Sequence, residues 1–222
     1  MPVIAGTGTY STRASVELTT RACAAGADAC LVVTPYYNKP TQDGLVAHFR
    51  AVADAAKRPV LLYNVPTRTA CDLLPETVAR LAEHPRIAGV KEASPESATR
   101  TPRLRALCGA SFAILSGDDA TALDLLLAGG DGVISVTANV APQEMHDMVA
   151  LARAGDATGA QRVDARLRPV HEALFVESNP IPLKWALSEL GLIQPGIRLP
   201  LTPLSERHHP TVRRALRSAN LQ

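Results

Sequence analysis

Lys91 closes a short apolar run, Ile87-Ala88-Gly89-Val90-Lys91-Glu92, in a chain with four lysines and nineteen arginines. In an extended strand Ile87, Gly89 and Lys91 share one face. An ammonium group at the end of a buried strand is costly unless it is paired or neutral. Burial lowers a lysine's pKa, and a neutral amine is the nucleophile that a Schiff base requires. The alternative is a strand-end lysine paired with a carboxylate or reaching out to water.

Other residues carry possible chemistry at similar places. Tyr63-Asn64-Val65-Pro66-Thr67-Arg68 puts a phenol at a strand end and a guanidinium in the loop that follows. A phenol can donate, accept or relay a proton, and a guanidinium matches a carboxylate with two parallel bonds. Equally, Tyr63 fits a core aromatic with a satisfied hydroxyl, and Arg68 a solvated or structural ion pair. Tyr36 and Tyr37 are adjacent in a Pro-flanked loop, although the chain has only four tyrosines. Neighbouring side chains there point apart, so one can enter a pocket while the other packs the loop or an interface. Ser116-Gly117-Asp118-Asp119 precedes a helical pattern, and both aspartates read as acidic residues at a helix start. Gly6-Thr7-Gly8 lacks the third glycine of a dinucleotide fingerprint and reads as a tight turn. His208-His209 reads as a solvated pair in a polar loop.

These groups need elements to hold them. Runs rich in Val, Ile, Leu and Ala occupy 3–5, 29–33, 60–65, 87–90, 112–115 and 132–136. Helical patterns fall between them at 15–25, 42–56, 75–83 and 120–128, the spacing of βαβ units. Strands alternating with helices imply a parallel sheet covered by helices. A doubly wound sheet would gather its reactive groups at one switch point. Here they sit at many consecutive strand ends, as on the top of a (β/α) barrel. The six runs fall short of the eight strands a closed barrel needs. After Asn139 only helical patterns remain, at 142–153, 159–176, 182–190 and 206–219. Residues 1–154 therefore read as a partial barrel and 155–222 as a helical appendage.

Composition excludes several classes. A formal net charge of +2 shows no basic stripe, which argues against nucleic acid and anionic membrane as partners. No apolar run has bilayer-spanning length, and the first residues lack the basic and apolar regions of a secretory leader. Cys23, Cys30, Cys71 and Cys108 form no CxxC pair and have no His at ligand spacing, so reduced thiols in the cytoplasm are expected and a zinc site is not. The last strand, Gly132-Val133-Ile134-Ser135-Val136, is followed by no Gly-rich phosphate loop, which argues against a sugar phosphate.

Taken in order, Tyr36-Tyr37-Asn38, Tyr63-Asn64-Val65-Pro66-Thr67-Arg68-Thr69, Gly89-Val90-Lys91-Glu92-Ala93, Leu115-Ser116-Gly117-Asp118-Asp119 and Gly132-Val133-Ile134-Ser135-Val136 resemble the dihydrodipicolinate synthase (4-hydroxy-tetrahydrodipicolinate synthase) family. Phe175-Val176-Glu177-Ser178-Asn179-Pro180-Ile181-Pro182-Leu183-Lys184-Trp185 looks like that family's helical tail. The resemblance implies a TIM (β/α)8-type fold and a homo-oligomer, a dimer of dimers. It also implies a lyase of lysine and diaminopimelate biosynthesis that condenses pyruvate with aspartate semialdehyde. By motif, Lys91 would form the Schiff base and Tyr63 would relay protons. Tyr37 would be lent across a dimer interface, and Arg68 would hold the semialdehyde carboxylate. Gly117 and Ile134 would line the pyruvate pocket, Ile134 partly through its carbonyl. The imine is the electron sink, so no cofactor is implied.

Two departures accompany the resemblance. The family's first two β/α units, with their Gly-Thr-Thr-Gly-Glu motif, have no counterpart in this sequence, so a barrel lacking those units is expected. Tyr10 and Ala14 stand where lysine-inhibited members carry an amide and a carboxylate. The rival readings are a sister pyruvate-dependent aldolase, of the N-acetylneuraminate lyase or keto-deoxy sugar acid type, and a non-catalytic partial barrel. Arg68 directly after Val65-Pro66-Thr67 favours the synthase.

Overall fold

The structure is a computed structural model that describes residues 1–221. In chain order the elements are β1 (Ile4–Gly6), α1 (Thr12–Ala24), β2 (Ala29–Val33), α2 (Gln42–Ala55) and β3 (Val60–Asn64). There follow α3 (Pro66–Thr69), α4 (Pro75–Ala82), β4 (Ile87–Glu92), α5 (Ser97–Cys108), β5 (Ala113–Ser116), α6 (Ala122–Leu127) and β6 (Gly132–Val133). Four more helices close the series: α7 (Pro142–Arg153), α8 (Ala157–Ala173), α9 (Ile181–Glu189) and α10 (His209–Ser218). Among the described residues no helix is long and apolar enough to cross a membrane.

The chain divides into two compact units, Met1–Gly117 with Ala128–Gly132, and Asp118–Leu127 with residues 133–221. In the first unit the strands form a sheet in the order β1-β2-β3-β4-β5-β6, with every pair from β1 to β5 parallel. That order follows the chain without reversal, as in the wall of a (β/α) barrel, and has no switch point of the doubly wound kind. Local sequence explains the helices between the strands. Ser11 caps α1 by accepting the Ala14 amide, Thr41 caps α2 by accepting the Gly44 amide, and Pro75 opens α4.

Period-2 alternation divides the sheet residues between two faces. Cys30, Val32, Leu62, Val90 and Ile114 are fully buried, as is the row Asn64, Glu92 and Ser116 at the strand ends. On the other face the row Val33, Tyr63, Lys91 and Leu115 is only half-buried. The sequence pattern misses α5, because a Thr- and Arg-rich stretch with Pro102 inside it shows little amphipathic signal. It also reads as plain loop the short helix α3 that carries Arg68.

The second unit packs α6 to α10 around Leu126, Met148, Leu167, Leu174, Ala186 and Leu216. Asp156 caps α8 by accepting the Gly159 amide at 2.8 Å. Three expectations are corrected here. The last strand does not run over 132–136 but ends at Val133, followed by a 3-10 turn at Thr137–Asn139. The reason is Asp119: its Oδ2 accepts the amides of Val136 and Thr137, both at 2.9 Å, which takes them out of any ladder. Asp119 is therefore a buried clamp and not a helix cap, and α6 begins only at Ala122; Asp118 does accept the Ala120 amide at 3.0 Å. The histidine pair is not simply solvated either. His209 stacks on Trp185 with ring centroids 4.4 Å apart, and Pro210 makes His209 the first residue of α10.

Candidate active site

Parallel pairing sets Tyr63 directly opposite Lys91 in the β3–β4 register. Both side chains therefore project from the same, half-buried face. The Lys91 Nζ lies over the Tyr63 ring, 4.2 Å from its centroid, within the range of a cation–π contact. Gly117, just after β5, makes this arrangement possible. A Cβ there would stand 2.8 Å from Lys91 Cε and 2.8 Å from Ala93 Cβ, so no larger residue fits beside the lysine stem. Gly117 also donates its amide to the Glu92 carbonyl at 2.8 Å, which fixes it against the end of β4.

Behind this face a polar network ties the two strands together. Asn64 and Glu92 follow Tyr63 and Lys91 by one residue, so alternation turns them to the opposite side. Asn64 Nδ2 donates to Glu92 Oε1 at 3.0 Å and Oε2 at 3.2 Å, and the Ser94 amide donates to Oε1 at 2.7 Å. Asn64 Nδ2 also donates to Asp72 Oδ1 at 2.9 Å, and Asn64 Oδ1 accepts the Leu73 amide at 3.0 Å. Arg100 from α5 closes the network with two bonds to Asp72, at 2.8 and 2.7 Å. Burial pushes the Glu92 carboxyl up to about 7, against the opposing pull of the Ser94 amide and Asn64. The Arg100 bonds hold Asp72 below the usual carboxylate range.

The predicted site residues divide into two sets. Tyr63, Lys91 and Gly117 are brought together within the first unit. Tyr37 stands 90% exposed with φ of 74°, and Arg68 is exposed on α3. Ile134 is half-buried and belongs to the second unit, just before the stretch held by Asp119. Sequence reasoning missed the network behind the site. Its one signal was the alternation that places Asn64 and Glu92 beside the reactive pair. Asp72 and Arg100, 28 residues apart in the chain, carried none.

A lysine and a phenol side by side on parallel strands bring together an amine nucleophile and a proton-transfer group, and known proteins narrow the assignment. The sequence profile of the dihydrodipicolinate synthetase family matches residues 1–219. The chain belongs to this family. A 4-hydroxy-tetrahydrodipicolinate synthase of Nitrosococcus oceani is 57% identical over 221 residues, covering 100% of this chain and 75% of that protein. One of Methylococcus capsulatus is 58% identical, with 100% and 76% covered. The crystal structure of a chloride-inhibited dihydrodipicolinate synthase from Acinetobacter baumannii, complexed with pyruvate, matches with a TM-score of 0.96 at 51% identity; the match covers 100% of this chain and 76% of that one. The chain thus spans about three quarters of these family members. Its parallel six-stranded sheet with helices is the α/β architecture of their TIM-barrel fold.

Proposed function

We propose that this chain is a pyruvate-dependent lyase that condenses pyruvate with L-aspartate 4-semialdehyde to 4-hydroxy-tetrahydrodipicolinate, in lysine and diaminopimelate biosynthesis. The observation that carries the reading is the Lys91 amine lying 4.2 Å over the Tyr63 ring, with the Gly117 position clear of side chain, in a chain 57% identical to a relative named for that reaction.

The chemistry begins with attack of the neutral Lys91 amine on the keto carbon of pyruvate. A C–N bond forms, and the carbinolamine loses its hydroxyl as water to leave the imine. The protonated imine withdraws electrons, so a proton leaves the pyruvate methyl and an enamine results. Its carbon attacks the aldehyde of the second substrate and forms the new C–C bond. The amine of the semialdehyde then adds to the imine carbon and displaces Lys91, which closes the ring and frees the enzyme. The Tyr63 hydroxyl serves as proton relay for these transfers.

Further parts of the reading rest on the motifs. Tyr37, exposed as it is, would enter the site of a neighbouring copy across a dimer interface in a cytoplasmic homotetramer. Arg68 would hold the semialdehyde carboxylate, and Gly117 and Ile134 would line the pyruvate pocket. The six strands would be strands three to eight of the family barrel, with the helical appendage starting at residue 155. The test is to incubate the chain with pyruvate, reduce with borohydride and weigh the protein intact. A single reduced pyruvyl group mapped to Lys91, absent in Lys91→Ala, is expected. Trapping that persists in Lys91→Ala overturns the assignment, and turnover with sialic acid in place of the semialdehyde would favour a sister aldolase.

A further inference from the structure

The Lys91 amine lies over the Tyr63 ring, yet a lysine stem has four rotatable bonds and only the pairing of β3 with β4 brings the two residues side by side. Register between parallel strands is fixed by side-chain patterning as much as by the backbone ladder. Here the hidden face is apolar along the strands and polar only in its last row, Asn64, Glu92 and Ser116. Asn64 and Glu92 are paired in the same register as Tyr63 and Lys91, one step further along each strand. Both are buried, and Asn64 bridges the two oxygens of Glu92 while the Ser94 amide holds one of them from the loop beyond β4. Asn64 is itself anchored by Asp72 and the Leu73 amide, and Asp72 by the guanidinium of Arg100. A one-residue slip of β4 against β3 would break both Asn64–Glu92 bonds and turn Lys91 to the helix-covered side.

We propose that Glu92 is a positioning residue for the reaction: bridged by Asn64, its carboxylate locks the strand register that stacks Lys91 on Tyr63, from the opposite side of the sheet. This rests on the reading that Lys91 carries the imine. The charged form of Glu92 suits the bridge best, because both oxygens then accept from Asn64. Protonation would put a hydroxyl against that amide, donor against donor. Burial sets this ionisation near neutrality, with Arg100 and Asp72 as the nearby charges acting in opposite directions. The bridge is therefore tightest above neutral pH.

The experiment measures the rate of pyruvate imine formation by borohydride quenching and intact mass, across pH, in the full chain and in Glu92→Gln. The glutamine keeps an acceptor for the Ser94 amide but sets an NH2 against Asn64. Imine formation is expected to slow about tenfold, given that an ångström of misplacement costs up to about a hundredfold. The adduct should still map to Lys91, kcat should fall more than KM changes, and the rate inflection near neutral pH should disappear. Asp72→Asn, a half-exposed change at the margin of the network, keeps the test decisive should Glu92→Gln not fold; a smaller slowing in the same direction is expected. Folded variants that merely melt earlier, with the rate and its pH profile unchanged, overturn the proposal. A parent chain that forms no adduct at Lys91 fails the imine reading itself, and this inference with it; an adduct in the parent with unaltered variants fails the positioning role alone.

Discussion

Replacing Gly117 with alanine tests the geometry of the site most directly. The added methyl would lie 2.8 Å from Lys91 Cε, 3.1 Å from Lys91 Cγ and 2.8 Å from Ala93 Cβ. Carbon atoms pack best at about 3.5 Å or more, so the methyl is about 0.7 Å too close on two sides. Ala93 Cβ is fixed to the backbone and cannot yield alone, whereas the lysine stem can swing. The strain therefore falls mainly on Lys91 and moves its amine off the Tyr63 ring. Overpacking of this kind costs about 1–3 kcal/mol, which lowers the melting temperature by roughly 2–12 °C in a chain of this size. Displacing the amine by up to about 1 Å slows imine formation by as much as about a hundredfold. Thermal melting and borohydride-quenched mass spectrometry read the two effects separately. An unchanged melting temperature together with a trapping rate within about twofold of the parent would refute the claim that Gly117 makes room for Lys91.

Other consequences follow from the same geometry. Tyr63→Phe keeps the ring under Lys91, so the imine should still be trapped while turnover falls about a hundredfold; equal turnover would remove the hydroxyl from the mechanism. Glu92 ionises near pH 7 in the folded chain, against 4.5 for an ordinary glutamate, so between those values the folded state holds more protons than the unfolded. Its contribution to stability is therefore full below about 4.5 and declines as pH rises towards 7, by roughly 3 kcal/mol at most. Glu92→Gln should flatten that part of the stability–pH curve, even as it slows imine formation; a parallel curve would show that Glu92 is not the titrating group. In the second unit, Asp119→Ala leaves the half-buried Val136 amide and the buried Thr137 amide without their acceptor and should cost about 1–3 kcal/mol, read by denaturant melting. A loss below about 0.5 kcal/mol would mean that the turn after β6 is held by something else.

Much of the fold was legible because its signals are local. Apolar runs at βαβ spacing and reactive residues at strand ends can both be read within a few residues of one another. That was enough to place every strand of the sheet to within a residue or two, except where β6 stops. It was also enough to choose a barrel wall over a doubly wound sheet, and the strand order agrees. The misreadings share a different cause. Helix α5 hid because its amphipathic signal is weak and interrupted by Pro102. Asp119 read as a helix cap because its true partners lie 17 and 18 residues further along.

The site divides in the same way. The sequence alone singled out Lys91 and Tyr63, since residue type and strand position are enough to nominate a nucleophile and a phenol, whereas Gly117 came only from the family resemblance. Only the tertiary structure decided that they meet, because the contact depends on the register between β3, β4 and β5 and not on any spacing along one strand. It also revealed what maintains that register. Asn64, Asp72, Glu92 and Arg100 come from four separate stretches, and hydrogen bonds between them form only once the sheet and α5 have packed. A carboxyl group ionising near neutrality is likewise a property of burial, which no residue possesses until the chain has folded around it.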